Sequence, residues 1–357
     1  MTVTRSSPSS TGQTDRMRIS DRLADICGPD FTRPAGAADE VAGTPARWVA
    51  APPDATGVGE LLRLAGEHGL SVVPRGAGTK LDWGATPSTV DVVLDTGRLA
   101  GVWHQPRTEL VAEVGAGTPL RAVQAVLERS GRRLAVDVPS DDATIGGVLA
   151  ADETGPLRHR HGTACEQLVG LSYVDAEGRL THAGGWAPGE GPTRELARLL
   201  CGSQGALGVL VSATLRVQPL PAGRLWLSHP IWTPLQMHDL VETILGEPSL
   251  EPAAVEVDLP GSRPRPGTPA HPASPAHSAW RNHPANRGRL SGPVGHLTVL
   301  LEGGRTQVTD RVARLRRLLG RQVQESTAPP TWWRRYPFES DEVALRLEVP
   351  PPHLHAA

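Results

Sequence analysis

Between Arg47 and Pro221 short apolar runs alternate with glycine-rich turns, a pattern of strands and helices in turn. RWVAAP reads as a strand. ATGVGELLRLAGEHG then places Val58, Leu61, Leu62 and Leu64 at helical spacing, and SVVPRG begins another strand, so the three form a β-α-β unit. TVDVVLDT and ELVAEVGAG predict two further strands. PLRAVQAVLERSG predicts a helix with Pro119 near its first turn and Gly131 just past its end. Short strands and glycine-rich turns continue until VLVSATLRVQPLP, where a domain boundary is placed at about Pro221.

Outside that region the pattern weakens. Residues 1–18 are rich in Ser, Thr and Arg without apolar periodicity and predict a disordered tail, with order starting near Ile19. Residues 222–357 predict a second, short domain interrupted at 260–295 by a Pro-, Gly-, Ser- and His-rich insertion that cannot bury enough apolar surface to order itself. After it GHLTVLLEGG reads as a strand and TDRVARLRRLLG as an amphipathic helix with Asp310 favouring its N-terminus. EVALRLEVP reads as a last strand, and the second domain looks incomplete for a covered α/β layer.

Composition adds few constraints. The 357 residues suit two domains. A formal net charge of -2 offers no basic face for nucleic acid, and Lys80 is the single lysine among 36 Lys and Arg residues. Cys27, Cys165 and Cys201 lie far apart in sequence without CxxC spacing, which suits a reducing cytoplasm and small core residues. No run of about 18 apolar residues offers a membrane span, and the first residues lack the apolar stretch of a secretory signal. A cytoplasmic location is expected.

Candidate chemistry lies in three glycine clusters. Arg75-Gly76-Ala77-Gly78-Thr79 follows a strand, and closely spaced glycines let successive N–H groups turn toward an anion. An ordinary β-turn explains that stretch as well when it is taken alone. It matches neither a Rossmann GxGxxG nor a Walker motif. Pro139 to Ala151 (PSDDATIGGVLAA) places Gly146 and Gly147 ahead of a small-residue helix, with the Thr144 hydroxyl nearby. Gly202 to Val209 (GSQGALGV) again leads from a glycine-rich turn into a strand. Three such loops in one domain suggest a long ligand lying across all of them.

The order PRGAGTKLDWG, PSDDATIGGVLAADETGP and GSQGALGVLVSATLRV resembles the flavin loops of the PCMH-type FAD-binding domain of the vanillyl-alcohol-oxidase superfamily. GTKLDWG, WWRRYPF and VALRLEVP are most similar to the FAD-binding (E) subunits of glycolate oxidases. The resemblance implies an α+β fold in which FAD lies between two α/β subdomains spanning 19–221, followed by a truncated cap. It implies cofactor contacts at Arg75, Gly76, Ala77, Gly78, Thr79, Pro139, Thr144, Ile145, Gly146, Gly147, Gly155, Arg158, Gly205, Gly208 and Val209. In the family the first loop holds the pyrophosphate, the TIGG segment lines the flavin, and the last loop meets the adenine end. Members that attach FAD covalently through the first loop carry a histidine where this chain has Thr79, so non-covalent FAD is expected. The implied activity is oxidation of glycolate or a similar 2-hydroxyacid. The implied partners are a catalytic FAD subunit and an iron–sulfur subunit, which would bring the chain to a membrane.

Two alternatives stay open: a self-sufficient FAD oxidase or dehydrogenase of another alcohol, and a non-catalytic scaffold. The second is raised by Trp186 to Leu196, which replaces the KNVAGYD-like segment of related subunits, and by the short cap. No catalytic base is assigned. Arg158-His159-Arg160-His161 lacks the carboxylates or cysteines that would complete a metal site, so no metal is expected there, and an Arg meeting the flavin or pyrophosphate is the better reading. Trp332-Trp333 is read as packing or a subunit contact rather than a nucleic-acid platform.

Overall fold

The computed structural model describes residues 10–106, 108–185, 193–259 and 293–338, with Glu342 and Ala344. Contacts divide the chain into two compact units. The first runs to Thr154 and takes in Gly162–Leu220; the second holds Gly155–His161 and the chain from Pro221 on.

The first unit opens with helix α1 (Ser10–Cys27), then β1 (Thr32–Pro34), β2 (Glu40–Val41), β3 (Thr44–Ala50), α2 (Ala55–His68), β4 (Val72–Arg75) and β5 (Val90–Asp95). The strands form one sheet in the order β1-β3-β5-β4, with β2 paired to β3. β5 runs parallel to both β3 and β4, and its first five residues are all buried, as a central parallel strand requires. α2 follows from its sequence: the Asp54 side chain accepts from Gly57 N–H at its start, and Gly69 ends it in the left-handed region at φ +61°. Val58, Leu61, Leu64 and Ala65 form its buried stripe.

A second sheet, β10-β9-β11-β7-β6, is built from β6 (Val102–His104), β7 (Val111–Gly115), β9 (Leu168–Val174), β10 (Leu180–Gly184) and β11 (Val209–Arg216). Around it lie α3 (Leu120–Glu128), α4 (Ile145–Ala151) and α6 (Thr193–Leu200), while β8 (Arg132–Arg133) pairs with β12 (Gln218–Pro219). Val174, Val209 and Val211 of this sheet join the core formed by α1, α2 and the first sheet, so the two α/β layers share apolar packing.

The second unit begins with the helical turn α5 (Arg158–His161). It continues with β13 (Gly223–Ile231), α7 (Pro234–Leu245), β14 (Ala254–Asp258), β15 (Gly295–Gly303), α8 (Arg305–Leu319) and β16 (Gln324–Ser326). Its strands form an antiparallel sheet, β14-β15-β13-β16. One face buries Leu227, Ile231, Leu297, Val299 and Leu301 together with Val308, Val312 and Leu315 of α8. Trp333 is buried with Trp226, Leu300 and Leu157, so the tryptophan pair packs.

Several elements differ from the sequence reading. The tail read over 1–18 is helical from Ser10, because a helix docked through Ile19, Leu23 and Cys27 extends backward at little cost once nucleated. α8 starts at Arg305, where the Gln307 side chain accepts from Gly304 N–H at 3.0 Å, so Asp310 sits in its second turn and caps nothing. Residues 1–9, 186–192, 260–292 and the EVALRLEVP segment apart from Glu342 and Ala344 lie outside the described residues.

Across the other face of the second-unit sheet, the register aligns Glu256, Thr298, Ser228 and Gln324 in one row. The Ser228 and Thr298 hydroxyls bond at 2.8 Å, and burial pushes the Glu256 carboxyl up to about 7. An unfolded glutamate titrates near pH ~4.3. Between those values the unfolded chain has released the proton that the folded chain keeps, so stability falls as pH rises through this window. Glu256→Gln should remove that slope and raise stability above about pH 7, as read by urea unfolding across pH.

Candidate cofactor site

The first loop leaves β4 at Arg75. Gly78 takes φ +76°, a left-handed conformation suited to glycine. The N–H groups of Gly76, Ala77, Gly78 and Thr79 donate to no protein acceptor among the described residues, which leaves four neighbouring donors for a ligand. A cleft of about 600 Å³ opens over this loop and is also lined by Ala38, Glu40, Ala42, Gly43, Leu81, Asp82 and Asp95.

Arg75 does not reach freely into that cleft. Its guanidinium bridges Asp39 at 2.7 Å and Asp95 at 2.8 Å, and Arg33 holds the same Asp39 through two bonds of 2.6 and 2.8 Å. The Arg33 bond first, then the Gly36 N–H and Arg75, hold the Asp39 carboxyl well below the usual carboxylate range. The Arg75 carbonyl accepts from Thr96 N–H and Oγ1, which fixes the end of β4. Two arginines are thus matched by two carboxylates, and the loop amides are what remain for an anion.

The second loop touches the first. A Cβ on Gly76 would collide with Thr144 Oγ1, so only glycine lets the loops meet. Thr144 caps α4 by accepting from Gly147 N–H at 3.2 Å. Gly146 lies against Ala116, with its N–H on the Ala116 carbonyl at 2.8 Å. The Ile145 side chain is buried in the core, and its N–H donates to the Thr118 carbonyl at 2.9 Å.

The third loop closes on both. A Cβ on Gly205 would meet Pro74 Cγ at 3.4 Å, while Gly202 N–H and Gln204 N–H donate to the Leu149 and Ala150 carbonyls at 2.9 and 2.8 Å. Gly208, at φ +153°, packs against the Val174 carbonyl and the Tyr173 ring. Val209, like Ile145, turns a buried side chain into the core. The fold therefore gathers Arg75–Thr79, Thr144–Gly147 and Gly205–Val209. Gly155 and Arg158 group instead with the second unit, where Arg160 pairs with Glu251.

Sequence reasoning missed the acidic partners. Lys80 Nζ pairs with buried Glu153 and bonds Ser140 Oγ at 3.2 Å, and Glu153 Oε1 accepts from Ser140 N–H at 3.2 Å. Lys80 also lies 5.2 Å from the Trp83 ring centroid. This buried pair fastens the first loop to the segment carrying Pro139. Its available signal was the placement of the only lysine directly after Thr79.

The FAD binding domain family matches residues 46–184. A D-lactate dehydrogenase of Archaeoglobus fulgidus is 31% identical over 171 residues, 48% of this chain and 38% of that protein. The glycolate oxidase subunit GlcE of Escherichia coli is 32% identical over 144 residues, 40% of this chain and 41% of that subunit. The matches thus take in about two-fifths of these relatives' own length. An alkyldihydroxyacetonephosphate synthase structure is similar with a TM-score of 0.66 at 17% identity, covering 85% of this chain and 59% of that one. A p-cresol methylhydroxylase structure gives 0.66 at 14% identity, covering 88% and 66%. The matched segment is an FAD-binding domain of the PCMH type on the fold of the vanillyl-alcohol-oxidase superfamily, and FAD is its cofactor.

Gly76→Ala should separate the first two loops, at a cost of about 1–3 kcal/mol if the core must yield, with a matching loss of FAD affinity by fluorescence titration. Lys80→Met should take the ammonium away from buried Glu153 and lower stability by about 3–5 kcal/mol. The Lys80→Met, Glu153→Gln double variant should recover most of that loss in thermal unfolding.

Proposed function

We propose that this chain is the non-covalent FAD-binding subunit of a glycolate-oxidase-like complex that oxidises glycolate or a similar small 2-hydroxyacid. The observation that carries the reading is the convergence of three glycine loops on four free backbone amides, beside cations already neutralised by carboxylates. In this reading the first loop's amides hold the pyrophosphate, Pro139, Thr144, Gly146 and Gly147 border the flavin, and Gly205, Gly208 and Val209 meet the adenine end. Gly155 and Arg158 complete the contact set. FAD, when bound, accepts the hydride of an alcohol oxidation.

The two curated relatives named above, and a D-2-hydroxyglutarate dehydrogenase of Xanthomonas citri 30% identical over 185 residues, support a 2-hydroxyacid as substrate. Thr79 supports non-covalent binding, because its hydroxyl stands where covalent members use a histidine. The remaining assignments are those of the E-subunit resemblance. The domains are taken as 19–221 for FAD and 222–357 for the cap. A larger catalytic FAD subunit and an iron–sulfur subunit are the partners. The complex works on the cytoplasmic side and reaches the membrane through those partners.

The visible spectrum of the purified chain supplemented with FAD tests this reading. Flavin absorbance should be retained through gel filtration and released intact by acid. Bleaching by anaerobic glycolate or D-lactate should require the partner subunits. Flavin left in the acid precipitate would refute the non-covalent assignment, and bleaching by the chain alone would refute the subunit role.

A further inference from the structure

Two of the three cysteines, far apart in sequence, meet at the end of α4. Cys165 lies in the turn ahead of β9, and Cys201 stands between α6 and Gly202 at the root of the third loop. The Cys165 thiol donates to the Leu149 carbonyl at 3.8 Å, and Gly202 N–H donates to the same carbonyl at 2.9 Å. Both cysteines pack against one apolar core cluster, both are only part-buried, and the Cys201 thiol is the neighbour that acts most strongly on Cys165.

A carboxylate completes the group. Asp152 ends α4 in the left-handed region at φ 45°, and its Cβ is 3.6 Å from where a Gly202 Cβ would stand. Its Oδ1 is buried without an N–H or O–H donor among the described residues, and the Cys165 thiol is its neighbour. The Cys201 thiol first, then burial and the Asp152 charge, hold Cys165 far above the usual thiol range. Cys27 stands apart, buried and pushed up to about 11, and serves as an internal control.

We propose that Cys165 and Cys201 are an oxidative modification site that closes to a reversible disulfide under hydrogen peroxide, with Asp152 taking the Cys165 proton. Cys201 sulfur attacks a peroxide oxygen; an S–O bond forms, the O–O bond breaks, and a sulfenic acid and water result. Cys165 passes its proton to Asp152 and attacks the Cys201 sulfur, so that the S–S bond forms, the S–O bond breaks, and the hydroxide leaves as water. In sum, two thiols and one peroxide give one disulfide and two waters, the sulfurs supplying the two electrons. The bond ties the root of the third loop to the turn ahead of β9. It does not depend on the flavin reading, since it needs only these side chains.

The test uses the full chain without added FAD, treated with hydrogen peroxide and mapped by non-reducing digestion and mass spectrometry. Free thiols should fall from three to one, with Cys165 and Cys201 peptides joined and separated again by dithiothreitol. Cys27→Ser should leave the cross-link unchanged. Cys165→Ser should leave a sulfenic acid on Cys201 that dimedone traps. Asp152→Asn should slow disulfide closure about tenfold or more without slowing the first oxidation of Cys201. Over-oxidation of Cys201 without a cross-link, a dimedone adduct first on Cys165, or joining through Cys27 would overturn the proposal.

Discussion

The contact between Gly76 and Thr144 constrains the whole first unit. With no side chain on Gly76, the turn after β4 comes to rest against the residue that caps α4, so a glycine loop from one α/β layer and a helix start from the other become neighbours. The third loop then has one place to go. Its Gly205 packs on Pro74, just before the first loop, and its N–H groups finish the carbonyls at the end of α4. Backbone groups supply most of these contacts, which is why the segments are rich in glycine and small residues rather than in charged ones.

Charge follows the same logic. A dinucleotide carries a pyrophosphate, and a simple solution would be free arginines in the cleft. The chain instead ties Arg75 between Asp39 and Asp95, and Lys80 to Glu153. Buried ions without partners cost several kcal/mol, on the order of the stability of a domain, so these cations are spent on holding loops in place before any ligand arrives. What they leave exposed is a set of oriented N–H dipoles, already fixed, whose attraction for an anion needs no rearrangement.

This division explains what could be read from the sequence. Glycine loops, the α2 stripe and the β5 apolar run are local signals, and each lies where its pattern placed it. Asp39, Asp95 and Glu153 gave no such signal, because Asp39 and Asp95 lie 36 and 20 residues from Arg75, and ordinary acidic residues look alike until the fold brings them to a cation. The pairing of Cys165 with Cys201 was invisible for the same reason. Helix starts were misjudged for a different cause: α1 and α8 extend past their apolar stripes, and a helix needs no apolar residue in its first turns once the rest is docked.

The two units also differ in how their sequences are constrained. The FAD binding domain family matches residues 46–184, most of them in the first unit, whereas likeness of fold extends over most of the chain. A site made from backbone amides and missing side chains tolerates few exchanges, since any Cβ at Gly76 or Gly146 meets a neighbour. The antiparallel sheet of the second unit keeps its strands by register and by packing on both faces, one against α8 and the other, where Trp226, Leu300 and Ala254 stand beside Ser228, Thr298 and Glu256, against Trp333 and Leu157. Cofactor identity is therefore written in the glycine loops as a readable motif. Choice among substrates of one cofactor has to be written in side chains, and single side chains that only the fold brings together leave no motif to read.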